Sequence, residues 1–303
     1  MRDQADKLRQ AIDNLKLRQA ITQAGLITSE KKKNAKVITI TSGKGGVGKT
    51  NITINIAIAL SKMGYRIVIL DADFGLANID VLFGMIPKYT LVDVIHNKKN
   101  IIEVLSDGPL NIKFISGGSG VEELIKLEKP QLDRVVDNIS LLDKIADIIL
   151  IDTGAGLSDT VMNFVMAADE VILVTTPEPT SITDAYALIK MVSNRDKDKM
   201  IRVVINRAES LNEAIDILSK LSLVSEKFLS LKLHSLGYII QDEMVIKAVK
   251  MQQPFSLCFP RAQATKQVKE IADKLIDSRE NSKTDENSGI KSFVSKLINF
   301  MNS

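Results

Sequence analysis

At 303 residues, 45% of them hydrophobic, the chain can bury one large core or two small ones. Its 40 basic and 37 acidic residues leave a net charge of +3, and the two signs are interspersed, so no nucleic-acid partner is expected. A single cysteine, Cys258, excludes a disulfide framework and reads as an inert packed thiol, while no run approaches the roughly 18 apolar residues of a membrane span and no signal-peptide core opens the chain. A cytoplasmic protein is expected, at most touching a membrane surface.

Residues 1–24 are charged and helix-prone, with Leu8, Ile12 and Leu15 at helical spacing, and 25–35 form a short, partly basic connector. Apolar, β-branched runs then predict strands over 37–41, 67–70, 112–115, 148–151, 171–175, 203–205 and 236–240. Helical patterns cover 51–63, 131–144, 160–166, 181–192, 211–229 and 262–277. Continuous apolar strands alternating with helices predict an α/β fold, a doubly wound, mainly parallel sheet spanning 36–277. Residues 278–289 have no apolar side chain and read as a polar linker. From 290 to 303, Ile290, Phe293, Val294, Leu297, Ile298 and Met301 fall at i, i+3, i+4, i+7, i+8 and i+11, with Lys291 and Lys296 off that stripe. Behind a polar linker this amphipathic helix predicts a membrane-surface segment; packing of the same stripe on the core is the competing reading, and the two can alternate.

The chemistry gathers where the first predicted strand ends. Gly43-Lys44-Gly45-Gly46-Val47-Gly48-Lys49-Thr50 is a phosphate-binding loop with one lysine more than the pattern requires. Its glycines let backbone N–H groups approach an anion, Lys49 reaches the β and γ oxygens, and the Thr50 hydroxyl holds Mg²⁺. Asn51 continues into a helix whose positive N-terminus faces the phosphates. Asp71 and Asp73 close the second predicted strand and Asp152 the fourth, which places three carboxylates at carboxyl ends of the sheet. An apolar strand ending in Asp is the Walker B arrangement, in which Asp152 orders Mg²⁺ and its waters near Thr50. Gly154 and Gly156 allow the next segment to move when a γ-phosphate arrives or leaves.

With Lys44, Asp73 in Asp-Ala-Asp-Phe-Gly-Leu-Ala-Asn-Ile-Asp, and Asp152 in Ile-Asp-Thr-Gly-Ala-Gly, the whole core resembles the deviant Walker A ATPases of the MinD/ParA family, which are P-loop NTPases. The resemblance implies ATP and ADP with Mg²⁺ as ligands, and slow hydrolysis by a homodimer that sandwiches two ATP molecules. It implies that Lys44 reaches in trans to the partner's phosphates, where it neutralises charge developing on the transferred phosphoryl group. Asp73 then matches the residue that orients the attacking water, and Asn206, beside Arg207, the one that hydrogen-bonds adenine. ATP binding and dimerisation become one event, undone by hydrolysis.

Asp3, Gln4, Ala5, Leu8 and Arg9 resemble the Asp-Gln-Ala-x-x-Leu-Arg activator motif that precedes the ATPase core in the FlhG group of MinD-like flagellar regulators. This implies the FlhF GTPase as a partner whose hydrolysis the segment stimulates, and FliM with FliN or FliY as flagellar components to be delivered. It also implies reversible residence at the inner face of the cell membrane. A MinD-type division-site ATPase is the alternative, sharing core, dimer and lipid helix. A DNA-partitioning ATPase needs a basic surface, and metal-cluster carriers of this superfamily need cysteine ligands that Cys258 alone does not supply. His96 and His234 are isolated in sequence and read as structural or exposed.

Overall fold

A computed structural model describes residues 34–73, 78–117, 123, 127–280 and 288–301. Asp3, Gln4, Ala5, Leu8 and Arg9, and residues 281–287 of the polar linker, lie outside the described residues. Eight strands, β1 (Lys36–Thr41), β2 (Ile67–Ala72), β3 (Ser106–Asp107), β4 (Lys113–Ser116), β5 (Ile148–Thr153), β6 (Glu170–Thr175), β7 (Ile201–Ala208) and β8 (Leu233–Ile240), form one sheet. Their order is β3-β4-β2-β5-β1-β6-β7-β8, and every pairing is parallel except β3 against β4. The α/β expectation holds. β1 lies at the centre, so the loop that follows it opens where the strand order reverses, the position at which such sheets take ligands.

The central strands are largely apolar because both faces are covered. Along β5, Ile148 and Leu150 pack into one layer while Ile149 and Ile151 pack into the other, which is the period-2 alternation with no solvent face. The first layer holds α1 (Lys49–Lys62) and, toward β8, α12 (Gln263–Glu280). The second holds α5 (Lys129–Ile139), α6 (Leu142–Ile145) and α7 (Asp159–Ala167), then α8 (Pro179–Arg195) and α9 (Leu211–Leu229) over β6 and β7.

Several predicted boundaries change. The helix predicted over 131–144 divides into α5 and α6, since the Ser140 hydroxyl donates back to the Asp137 carbonyl at 2.6 Å and the break lets Ile139, Leu141, Leu142 and Ile145 all reach the core. Short elements left no readable period: β3, α2 (Ile79–Phe83), α3 (Leu91–Ile95), α4 (Ile101–Val104), α10 (Glu243–Lys250) and α11 (Phe255–Cys258). Cys258 is half-buried, not fully packed, with its thiol 3.0 Å from Gln253 Oε1. His96, which had no partner in the sequence reading, meets Glu123 at 2.5 Å.

The C-terminal helix, α13 (Ile290–Met301), lies on α7 and α5. Ile290, Phe293, Val294 and Leu297 are buried, with the Phe293 ring 6.0 Å from that of Phe164, while Ile298 and Met301 pack at the edge. The stripe predicted to meet lipid therefore covers the core here. Each such side chain gains about 1.5–3 kcal/mol from leaving water, and groove and lipid offer that gain alternatively, never together. Among the described residues no helix is long and apolar enough to cross a membrane.

Lys199 shows how the layers are stitched. Its buried ammonium donates to the Met166 carbonyl at 2.9 Å and to the Ala168 carbonyl, two groups that the end of α7 leaves unpaired. Burial first, then the neighbouring Lys296, depresses its pKa to about 8, against the pull of Asp196 and Asp169. Between that value and the ordinary 10.5 the unfolded chain binds more protons than the folded one, so this group makes stability rise with pH across the interval. Lys199→Met is expected to flatten that rise in urea unfolding curves taken from about pH 8 to 10; an unchanged slope would show that the titrating group lies elsewhere.

Candidate nucleotide site

The loop from Gly43 to Gly48 joins the end of β1 to α1. Gly46 and Gly48 have φ of 76° and 92°, left-handed values that let successive N–H groups turn inward, and Gly48 caps α1. Gly43 is required by packing: a Cβ there would lie 2.4 Å from the backbone of Asp184 in α8. At Gly48 it would lie 2.5 Å from Asn206 Nδ2, which donates to the Val47 carbonyl at 2.7 Å. Sequence positions more than 150 residues apart thus meet at the loop.

Lys49 points inward. Its Nζ lies 3.2 Å from Asp152 Oδ1, and both side chains are buried. Thr53, one helical turn beyond Lys49, donates to the same oxygen at 3.1 Å. Asp152 Oδ2 is buried without a hydrogen bond, and the Thr50 hydroxyl is near enough to favour the charged carboxylate. Burial raises the Asp152 pKa, with Lys49, Thr50 and Thr53 acting against it. Asp71 pairs in register with Asp152 across β2 and β5. Burial and then the Asp152 charge push it up to about 7, although it accepts backbone N–H bonds from Asp73, Asn78 and Ile79. Asp71 therefore caps the chain after β2. Asp73, two residues on, stands beside the glycine turn after β5: a Cβ on Gly154 would lie 3.6 Å from its Oδ1.

Lys44 points to the rim. Its Nζ lies 2.6 Å from Glu178 Oε2 and 2.8 Å from Thr180 Oγ1, and the side chain is 35% exposed. The ammonium bond, and then its charge, hold the Glu178 carboxyl below its usual range. The two loop lysines therefore serve different places. Beyond the loop runs a cleft of about 680 Å³ lined by Gly48, Asn51, Asn206, Arg207, Asp242 and Ile246 among others. Asn206 and Arg207, predicted on the adenine, both reach it, Arg207 with φ of 57° on the bulge where β7 leaves β8. Sequence reading missed the other wall, from β8 and α10, and also Thr53, Glu178 and Thr180. Thr53 carried a signal, being i+4 from Lys49; Glu178 and Thr180 sit at the start of α8 and, like the wall from β8 and α10, carry no motif.

The donor set fits Mg²⁺. The orphaned Asp152 Oδ2 and the Thr50 hydroxyl are hard oxygen ligands, few enough that phosphate oxygens and water complete the sphere, which is how this ion is usually held. Bound there, Mg²⁺ would supply positive charge against the phosphates, held by Asp152 and Thr50. Lys49, now on Asp152, would then be placed to exchange that contact for phosphate, the loop N–H groups would orient the anion, and the cleft would be the space open to the base.

A ParA family model, described as "NUBPL iron-transfer P-loop NTPase", matches residues 33–276. Antiactivator FleN of Pseudomonas aeruginosa is 43% identical over 80% of this chain and 86% of its own length. Flagellum site-determining protein YlxH of Helicobacter pylori is 34% identical over 90% of this chain and 92% of its own. Among solved structures, the MinC:MinD cell division complex of Aquifex aeolicus superposes with a TM-score of 0.63 at 26% identity, covering 84% of this chain and all of that one. With a complete phosphate loop, a buried Walker B aspartate and the additional lysine at the rim, the chain belongs to the MinD/ParA family of P-loop ATPases, on the branch that includes FleN and YlxH.

Proposed function

We propose that this protein is an ATP-driven dimerising switch that controls the number and position of flagella. Lys44 is the observation that carries the switch: a second loop lysine that does not join the Lys49–Asp152 centre, and is left partly exposed, suits a phosphate presented by another subunit. The flagellar assignment is supported by the likeness to FleN and YlxH and by Asp3, Gln4, Ala5, Leu8 and Arg9 ahead of the core. On this reading the N-terminal segment stimulates the FlhF GTPase, and the dimer delivers FliM with FliN or FliY. Asp73 orients the attacking water and Asn206 with Arg207 holds adenine. ATP-driven dimerisation frees α13, so that Ile290, Phe293, Val294, Leu297, Ile298 and Met301 of two subunits bind the cytoplasmic membrane face together. Residues 1–24, 36–277 and 290–303 are then the activator, the ATPase and the lipid helix, joined by 25–35 and 278–289.

GTP turnover by the cognate FlhF, titrated with the full chain and with a Gln4→Ala/Leu8→Ala variant, tests the assignment. Stimulation by the native chain and its loss in the variant are expected. Equal turnover with both, given folded and nucleotide-loaded FlhF, would refute it. Nucleotide-dependent binding to MinC in its place would favour the division-site reading, which the likeness to MinD keeps in view.

A further inference from the structure

The residues that lead into β1 and the helix that closes the described chain meet at one point. Asp143, on α6, accepts at Oδ1 from the Ala35 N–H at 3.2 Å and from the Ile290 N–H at 3.0 Å. Beside it Asn34 Nδ2 donates to the Ser288 carbonyl at 2.8 Å, and Asp169 Oδ2 accepts from the Val37 N–H at 2.9 Å. Gly289 lets the two chains touch: its φ is 112°, and a Cβ there would lie 2.8 Å from Asn34 Cβ and 3.0 Å from Asp143 Oδ1. The Ile290 N–H belongs to the first turn of α13, where no carbonyl of the helix can accept it, and an acidic group at a helix N-terminus is favoured by the dipole as well. Asp143 thus satisfies donors from two segments 255 residues apart, Ala35 and Ile290, with one oxygen.

We propose that Asp143 is a clamp that couples the two ends of the ATPase core, so that departure of α13 from its groove loosens residues 34–37, to which residues 1–33 are joined in sequence. The coupling is physical: α13 shields the shared carboxylate, and once the helix leaves, water competes for the oxygen that holds Ala35. Its functional meaning rests on the proposed lipid role of α13, because lipid capture at one end would then reach the segment bearing Gln4 and Leu8 at the other. The clamp itself requires no lipid.

Amide hydrogen exchange on the full chain, without nucleotide or lipid, tests it. Leu297→Lys places a charge on the buried face of α13, about 10 Å along the helix from Asp143. Exchange at 290–294 is expected to rise roughly tenfold, and exchange at 34–37 to rise several-fold with it. Asp143→Ala should release both segments together, Asp143→Asn, which keeps an acceptor oxygen, should remain near the native protein, and Leu297→Lys added to Asp143→Ala should speed 34–37 no further. Faster exchange at 290–294 with 34–37 unchanged would overturn the clamp. Should Leu297→Lys also open 148–153, the two Asp143 variants decide: release of one segment alone refutes the proposal, and release of both supports it. Failure of α13 to bind anionic phospholipid vesicles with ATP would defeat the lipid reading and leave the exchange result standing.

Discussion

Lys44→Ala is expected to lower ATP turnover by roughly three orders of magnitude while nucleotide affinity stays within a few-fold of the native value. A cation delivered to a transferring phosphoryl group from another subunit contributes on the order of 10³ to 10⁵ in rate, because it neutralises charge present only in the transition state. Binding should survive, since the groups that line the monomer's own phosphate site are the loop N–H groups, Lys49, Thr50 and Asp152, none of which bonds to Lys44. Stability should survive too, because the Lys44–Glu178 contact is an exposed pair of the kind that contributes little. Turnover measured beside fluorescent-nucleotide affinity, with light scattering in ATP to read the dimer, separates these effects. Native turnover in the variant would eliminate the trans-lysine role.

Asp152→Ala is expected to cost the nucleotide-free protein about 3–5 kcal/mol and to abolish the Mg²⁺ dependence of nucleotide binding. The stability loss follows from what is left behind: a buried Lys49 ammonium without its carboxylate, whereas the Thr53 hydroxyl can still donate to the Lys49 carbonyl at 3.1 Å. The loss of metal dependence follows from removal of Oδ2, the buried oxygen free to bind a cation. These two consequences can be separated. Lys49→Met in the Asp152→Ala background removes the stranded charge, so it should recover most of the stability in urea while leaving Mg²⁺-dependent binding absent. A single Asp152→Ala variant as stable as the native protein would mean that the pair is solvated or already neutral, and the account of the buried site would fall.

Legibility followed chain distance and element length. The phosphate loop was readable because its glycines, Lys49 and Thr50 are contiguous and each has a separate physical duty. Asp152 was readable because an apolar run ending in a carboxylate marks a strand whose tip faces the ligand edge. Strands such as β1 and β5 were visible for a related reason: burial on both faces favours an apolar, β-branched run, which in β1 only threonines interrupt after Lys36. The single helix expected over 131–144 failed on the local turn of Ser140, and α10 stayed hidden because its pattern runs for only eight residues.

By itself, the sequence determined the α/β class, the P-loop after β1 and the amphipathic stripe of the last helix, since each is written in neighbouring residues or a short period. Only the tertiary structure decided that the stripe of α13 lies in a groove on its own core, that Lys44 rests on Glu178 and Thr180, and that Asp143 holds both Ala35 and Ile290. An apolar face states that something must cover it without stating what, and a charged side chain states that a partner is needed without naming one. Those choices are made by which distant segments the sheet order brings together.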